Sequence, residues 1–294
     1  MDIKYGSLIK DARIKKGVSQ KQLSDNICSQ GLISQIEMNQ TIPTVDIFLK
    51  IASKLEINLD VLTSKKVEFD DQYYFSEFIF LVNKAKRDRN YREIQLILND
   101  EESNIMKKGR DQVKQFFYWH KGICFFHLYD DFIKAIMYYK KALGITGSSI
   151  GQEYFIGLEL EILISIGITY SAIKNQPKAI HLFKKVSNSL SKSSDINNNK
   201  KLELKLLYNL SKAHGLNKDF CLALKYAKKG RNICISHGYL YLLGEFNYQI
   251  GINLIETKEI EKGVEYLEQA ITVFDIEGKK VMSEFVNNKI EKLE

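Results

Sequence analysis

Apolar residues recur at three- and four-residue spacing along nearly the whole chain and seldom alternate with polar ones, the pattern of helices that each bury one face. The only prolines are Pro43 and Pro177, whereas a β-rich chain of 294 residues needs many more turn residues. The pattern therefore predicts an all-α protein. Its first part parses into five short helices. Ile3 to Lys16 turns Leu8, Ile9, Ala12 and Ile14 inward and stops at Gly17. Ser19 caps a second helix, Gln20 to Ile27, with Leu23 and Ile27 inward. A turn around Cys28 to Gly31 leads to Leu32–Met38, with Ile33 and Ile36 inward. Pro43-Thr44 opens Val45–Leu55, and Asn58–Leu62 gives a last turn. Residues 65–75 fit a connecting helix, which divides the chain into 1–64, 65–75 and 76–294.

From about residue 72 the chain repeats itself. Ile94, Ala135, Ala179, Ala223 and Gly263 are separated by 41, 44, 44 and 40 residues, and each is followed four places on by Leu98, Tyr139, Phe183, Ala227 or Leu267. Upstream of them lie Val82, Gly122, Gly167, Ser211 and Gly251, mostly small, then Ala85, Phe125, Tyr170, His214 and Leu254. Small residues where two helices cross, with large ones filling the space between, describe the tetratricopeptide hairpin, which this array resembles. The period exceeds the usual ~34 residues, so helices or turns must be longer. Five degenerate repeats are expected, closed by a helix at Val281–Leu293 whose outer face (Asn287, Asn288, Lys289, Glu291) is polar. The resemblance implies a right-handed superhelix whose first helices line a concave groove. Two places before the small residue, facing that groove, come Phe80, His120, Ser165, Asn209 and Gln249. Four places earlier come Ser76, Phe116, Glu161, Lys205 and Glu245. Amides there could grip a peptide backbone, which makes Asn209 and Gln249 the foremost candidates.

Two short helices joined by a tight turn form a helix-turn-helix. The run from Arg13 to Leu23, followed by Ile33-Ser34-Gln35-Ile36-Glu37 and Pro43, resembles the lambda-repressor-like domain; Asn39 stands where that family usually has glycine. Gln20 could bond a phosphate, and Ser29, Gln30, Ser34 and Gln35 lie where they could read base edges. The resemblance implies a partly buried ion pair between Arg13 and Glu37.

Composition alters this picture little. The formal charge of +7 suits a nucleic-acid partner, but residues 1–64 hold eight Lys/Arg against seven Asp/Glu, so local pattern carries the case. No apolar run is long enough to span a bilayer, and Met1–Tyr5 does not open a secretory signal. Cys28, Cys124, Cys221 and Cys234 show no CxxC spacing and read as reduced core thiols of a cytoplasmic protein. No phosphate-cradling or hydrolytic motif occurs, so neither an enzyme nor a cofactor is expected. His120, Cys124 and His127 share a helix face, but with no fourth ligand evident they are not read as a metal site.

The order of a lambda-repressor-like domain, a connecting helix and five degenerate repeats resembles the peptide-pheromone regulators of Gram-positive bacteria, the RRNPP group, and most of all its PlcR-like members. The likeness is carried by Gln20–Cys28, Arg89–Ile94, Tyr208-Asn209 with Lys212-Ala213, and Tyr248-Gln249 with Gly251. It implies a homodimer, an activator rather than a repressor, that reads a palindromic DNA operator and binds a short re-imported signalling peptide. Arg87, Arg89, His120, Glu161, Lys205, Asn209, Glu245 and Gln249 are the peptide-binding candidates, the two arginines as partners for a peptide carboxylate. The chain departs from the pattern at Ile164, where PlcR-like members carry a peptide-gripping asparagine, and this implies a signal of its own. A groove that binds a protein partner instead is the competing reading.

Overall fold

A computed structural model describes residues 5–57, 69–152, 154–192 and 200–293. Among them every regular element is a helix. Two compact units divide between Ser76 and Glu77.

The first unit holds α1 (Tyr5–Lys15), α2 (Gln20–Ser24), α3 (Gln30–Glu37) and α4 (Val45–Leu55). Local chemistry sets each boundary. Gly17, at φ +70°, ends α1 in a left-handed conformation that costs glycine little. Ser19 caps α2 reciprocally with Gln22, and Ser29 and Thr44 cap α3 and α4. Asn39 takes φ +56°, and its Oδ1 accepts from Gly6 N at 2.9 Å. Gly6 is sterically required there, since a Cβ would lie 2.1 Å from the Ile36 carbonyl oxygen. Ile9, Leu23, Ile33, Ile36, Ile51 and Leu55 form the core.

Three expectations need correction. Ile14 is 58% exposed, because it falls on the outer face of α1. The second helix stops at Ser24, where Asp25 turns extended and Asn26 left-handed, so Ile27 reaches the core from a turn. The third starts two residues early, at Gln30, as the Ser29 hydroxyl accepts from Leu32 N. The expected turn at Asn58–Leu62 lies outside the described residues.

The helix α5 (Phe69–Arg87) spans the boundary between the units without a break. Ten more follow as α6 (Tyr91–Lys108), α7 (Asp111–Leu128), α8 (Phe132–Ile145), α9 (Leu158–Ala172), α10 (Gln176–Lys192), α11 (Lys200–Leu216), α12 (Phe220–Ser236), α13 (Leu243–Glu256), α14 (Ile260–Ile276) and α15 (Lys280–Ile290). From α6 onward consecutive helices pack pairwise, and α7, α9, α11 and α13 also touch in succession, so they form the inner layer of a superhelical array. Ile94, Ala135, Ala179 and Ala223 are wholly buried, as are Leu98, Tyr139, Phe183, Ala227 and Leu267. A Cβ on Gly122 would overlap the Tyr139 ring, and one on Gly167 the Phe183 ring. At the last hairpin Gly251 packs on the Gly263 carbonyl and on Leu267.

The turns carry the same register. Arg89, Asp130, Lys174, Lys218 and Lys258 all adopt positive φ, one in each hairpin. Asn90, Asp131, Asn175 and Asp219 follow, each accepting a backbone N–H three residues on. The long period is accommodated by helices of 14 to 19 residues and by the connection between α8 and α9, where the Glu159 carboxylate at the start of α9 accepts from Thr146, Ser148 and Ile156 N. The closing helix exposes Asn287, Asn288 and Lys289 as expected, but also Val281 and Phe285.

Candidate functional site

In the first unit Arg13 and Glu37 meet as a two-pronged ion pair, Nε to Oε1 at 2.6 Å and Nη2 to Oε2 at 2.9 Å, while Arg13 Nη1 donates to the Val18 carbonyl. Burial opposes ionisation of Glu37, but hydrogen bonds from Arg13 and Gln20 outweigh it and hold the carboxyl below its usual range. Gln20, expected at a phosphate, gives its amide N–H to Glu37 Oε2 at 2.8 Å and so joins this internal cluster. Gln30 and Gln35 stand exposed on α3, with Ser34 half-buried beside them. Ser29 is exposed at the cap, and Thr41 donates to Gln35 Oε1 at 3.5 Å. One helix thus presents two amides and two hydroxyls from a rigid three-helix frame.

In the second unit the inner helices bring together a charged and aromatic cluster. Lys205 on α11 donates to Glu161 on α9 at 2.5 Å. Lys86, near the end of α5, sets its ammonium 3.8 Å over the Trp119 ring of α7. The Trp119 indole donates to Ser165 Oγ at 2.9 Å, and that hydroxyl donates to the Glu161 carbonyl, so the ring is fixed. Burial lowers the pKa of Lys86 to about 8, with Lys205 adding repulsion and Glu161 partly offsetting it. Lys86, Trp119, Ser165 and Lys205 line a cavity of about 160 Å³ together with Tyr91 and His127, whose rings stack 3.8 Å apart.

The peptide-binding candidates divide by position. Glu161 and Lys205 belong to this cluster, and Arg89 lies close enough to add to the burial that lowers the pKa of His127. Arg87 is exposed. His120 is wholly enclosed, with Nδ1 on the Phe116 carbonyl at 2.9 Å and Nε2 unpartnered among the described residues. Burial foremost, then the charges of Lys86 and Lys205, hold it neutral. Asn209 is half-buried, and its amide nitrogen donates to the Lys205 carbonyl at 2.7 Å. Gln249 is buried, its side chain hydrogen-bonded to Tyr208, whose phenol is pushed up to about 12 by burial and by Glu245. Glu245 receives Lys279 at 2.9 Å on one oxygen, and the other is buried without a partner among the described residues. Phe80 stands exposed, and Ile164 is core.

Sequence reasoning missed Lys86 and Trp119. The lone tryptophan was a signal, but its place below a lysine 33 residues away was not visible locally. His120, Cys124 and His127 serve separate neighbours: Phe116, the Tyr91 carbonyl and the Tyr91 ring. Among the described residues no group of His, Cys, Asp and Glu could hold a metal ion, and no helix is long and apolar enough to cross a membrane.

The chain thus joins a helix-turn-helix with exposed polar side chains to a helical-repeat array that holds a charged and aromatic cavity. Residues 81–293 match the RNPP family C-terminal domain, and residues 9–62 match a helix-turn-helix family. The chain belongs to the RNPP family. Among solved structures it is similar to Bacillus thuringiensis PlcR in complex with the peptide PapR7 and DNA, at 27% identity and TM-score 0.75, covering 96% of this chain and 98% of that one. PlcR in its apo form matches at 26% identity and TM-score 0.64, over 98% and 99% of the two chains. ComR from S. thermophilus, solved with DNA and its signalling peptide ComS, shares the fold at 13% identity and TM-score 0.62, over 98% and 99%. No curated protein sequence matches.

Proposed function

We propose that this protein is a cytoplasmic, non-enzymatic transcription activator whose repeat array binds a short signalling peptide and whose helix-turn-helix reads DNA in response. The observation that carries this reading is the likeness to PlcR along the whole chain, in a structure that holds peptide and DNA together. Residues 1–64 read DNA, 65–75 connect, and 76–294 sense the peptide. Gln30, Ser34 and Gln35 meet base edges in the major groove, with Ser29 at the mouth of the helix and Gln20 steadying it through Glu37. A homodimer with two such helices calls for a palindromic operator. In the array, Asn209 and Gln249 hold the peptide backbone, while Arg87, Arg89, Glu161, Lys205 and Glu245 set its charge pattern. His120, enclosed, supports the groove wall.

The test is calorimetric titration of the full chain with C-terminal peptides of small secreted precursors encoded beside its gene, followed by DNA binding with and without peptide. Micromolar or tighter binding that changes affinity for the upstream DNA is expected. Asn209→Ala should abolish the response with the fold intact, read by circular dichroism. DNA binding that responds to no peptide would favour control by a protein partner.

A further inference from the structure

The array contains a cation that no carboxylate among the described residues pairs with. Among the described residues Lys86 forms no ion pair; its ammonium lies on the Trp119 ring. The nearest carboxylate in charge terms, Glu161, is already held by Lys205 at 2.5 Å. Lys86, Lys205 and Glu161 therefore leave one net positive charge beside a cavity of about 160 Å³, the space of about five waters at ~30 Å³ each. Ile123, Phe126 and Ile168 give the cavity apolar wall beside the polar edges of Tyr91, His127, Tyr139 and Ser165, and none of these groups carries a negative charge to match the cation. A desolvated ammonium is costly unless paired, and a fixed aromatic face offsets only part of that cost. The arrangement is built for an anion with an apolar neighbour.

Resting on the peptide-sensing function above, we propose that this cavity seats a carboxylate of the signalling peptide, either its C-terminus or an acidic side chain, and that Lys86 is the residue that selects for it. Trp119 holds the ammonium in place before the peptide arrives, and Ser165 holds Trp119. Lys205 lines the same cavity and supplies a second donor when it turns from Glu161. Arg87 and Arg89 stand exposed and do not line this cavity, so their part in setting the peptide's charge pattern is separate from this seat.

Trp119 is the only tryptophan of the chain, so its fluorescence reports this cavity alone. The full-length protein is titrated with positional-scanning heptapeptide mixtures in matched pairs: free or amidated C-termini, and Asp/Glu or Asn/Gln at each scanned position. Carboxylate mixtures should perturb Trp119 and bind roughly 10- to 100-fold more tightly than their carboxamide partners. Lys86→Met and Lys86→Gln should each level that difference. Sensitivity to amidation assigns the seat to the C-terminus, and sensitivity to Asp/Glu assigns it to a side chain. Equal binding by both members of every pair, measured on the unmutated protein, would overturn the assignment while leaving peptide sensing intact. A carboxylate preference that survives in the folded Lys86 variants overturns it too. Failure of every mixture to bind would remove both readings together.

Discussion

Each half of the molecule holds a partly buried cation, and the two are treated in opposite ways. Arg13 in the DNA-reading unit is matched twice by Glu37, which Gln20 bonds in turn, and the guanidinium also reaches the Val18 carbonyl. Lys86 in the array has an aromatic face and, among the described residues, no carboxylate partner. A closed polar network fixes three helices against one another and leaves nothing for a ligand to satisfy. An open one stores a demand that a ligand can meet. The contrast separates residues that hold the fold from residues that await a partner better than exposure does, since Glu37 and His120 are both buried.

The contrast can be broken at three points. The largest effect is expected for Arg13→Ala, which strands Glu37 and should cost about 3–5 kcal/mol of the first unit's stability. Urea unfolding followed by circular dichroism should show an early transition, while the Trp119 signal from the array stays in place. A Trp119 transition displaced equally would mean that the halves unfold as one. Next comes Gly167→Ala, whose new Cβ would sit 2.4 Å from Phe183. Forcing that crossing apart should cost about 2 kcal/mol and, unlike the first change, move the Trp119 transition.

The smallest effect has the opposite sign. Lys86 has a folded pKa of about 8 against an ordinary 10.5. Between those values the unfolded chain binds the extra proton, so stability contributed at this site rises with pH from about 8 to 10.5 and is lowest below 8. Lys86→Met should therefore stabilise the array by about 1 kcal/mol at pH 7, and the gain should vanish by pH 10.5. Thermal unfolding at pH 7 and pH 10 measures both. A loss of stability at pH 7 would make Lys86 a packing residue.

How far the sequence led depended on the span of the interaction. Caps and stops act within four residues, and Ser19, Thr44 and Gly17 were legible. The repeat register was legible because small and large residues recur, as Gly122 with Tyr139 and Gly167 with Phe183 do in the structure. Ile14 was misplaced because an eleven-residue helix tolerates one apolar residue outside its buried stripe. The cavity was illegible. Lys86, Trp119, Ser165 and Lys205 come from four helices, and only their stacking gives them a common wall. Gln20 shows the same limit in reverse, since its position suited a phosphate and a carboxylate across the turn claimed it instead.

The nearest-neighbour packing of the array has one more consequence. Hairpins that pack mainly on the next hairpin open and close as a row of linked local equilibria, and the ends fray before the middle. A molecule lying along α7, α9, α11 and α13 bridges hairpins that otherwise communicate only in relay. Binding would fuse that row into one cooperative block, visible as amide hydrogen exchange that slows together across all four helices, so the groove would act as a fastener as well as a receptor.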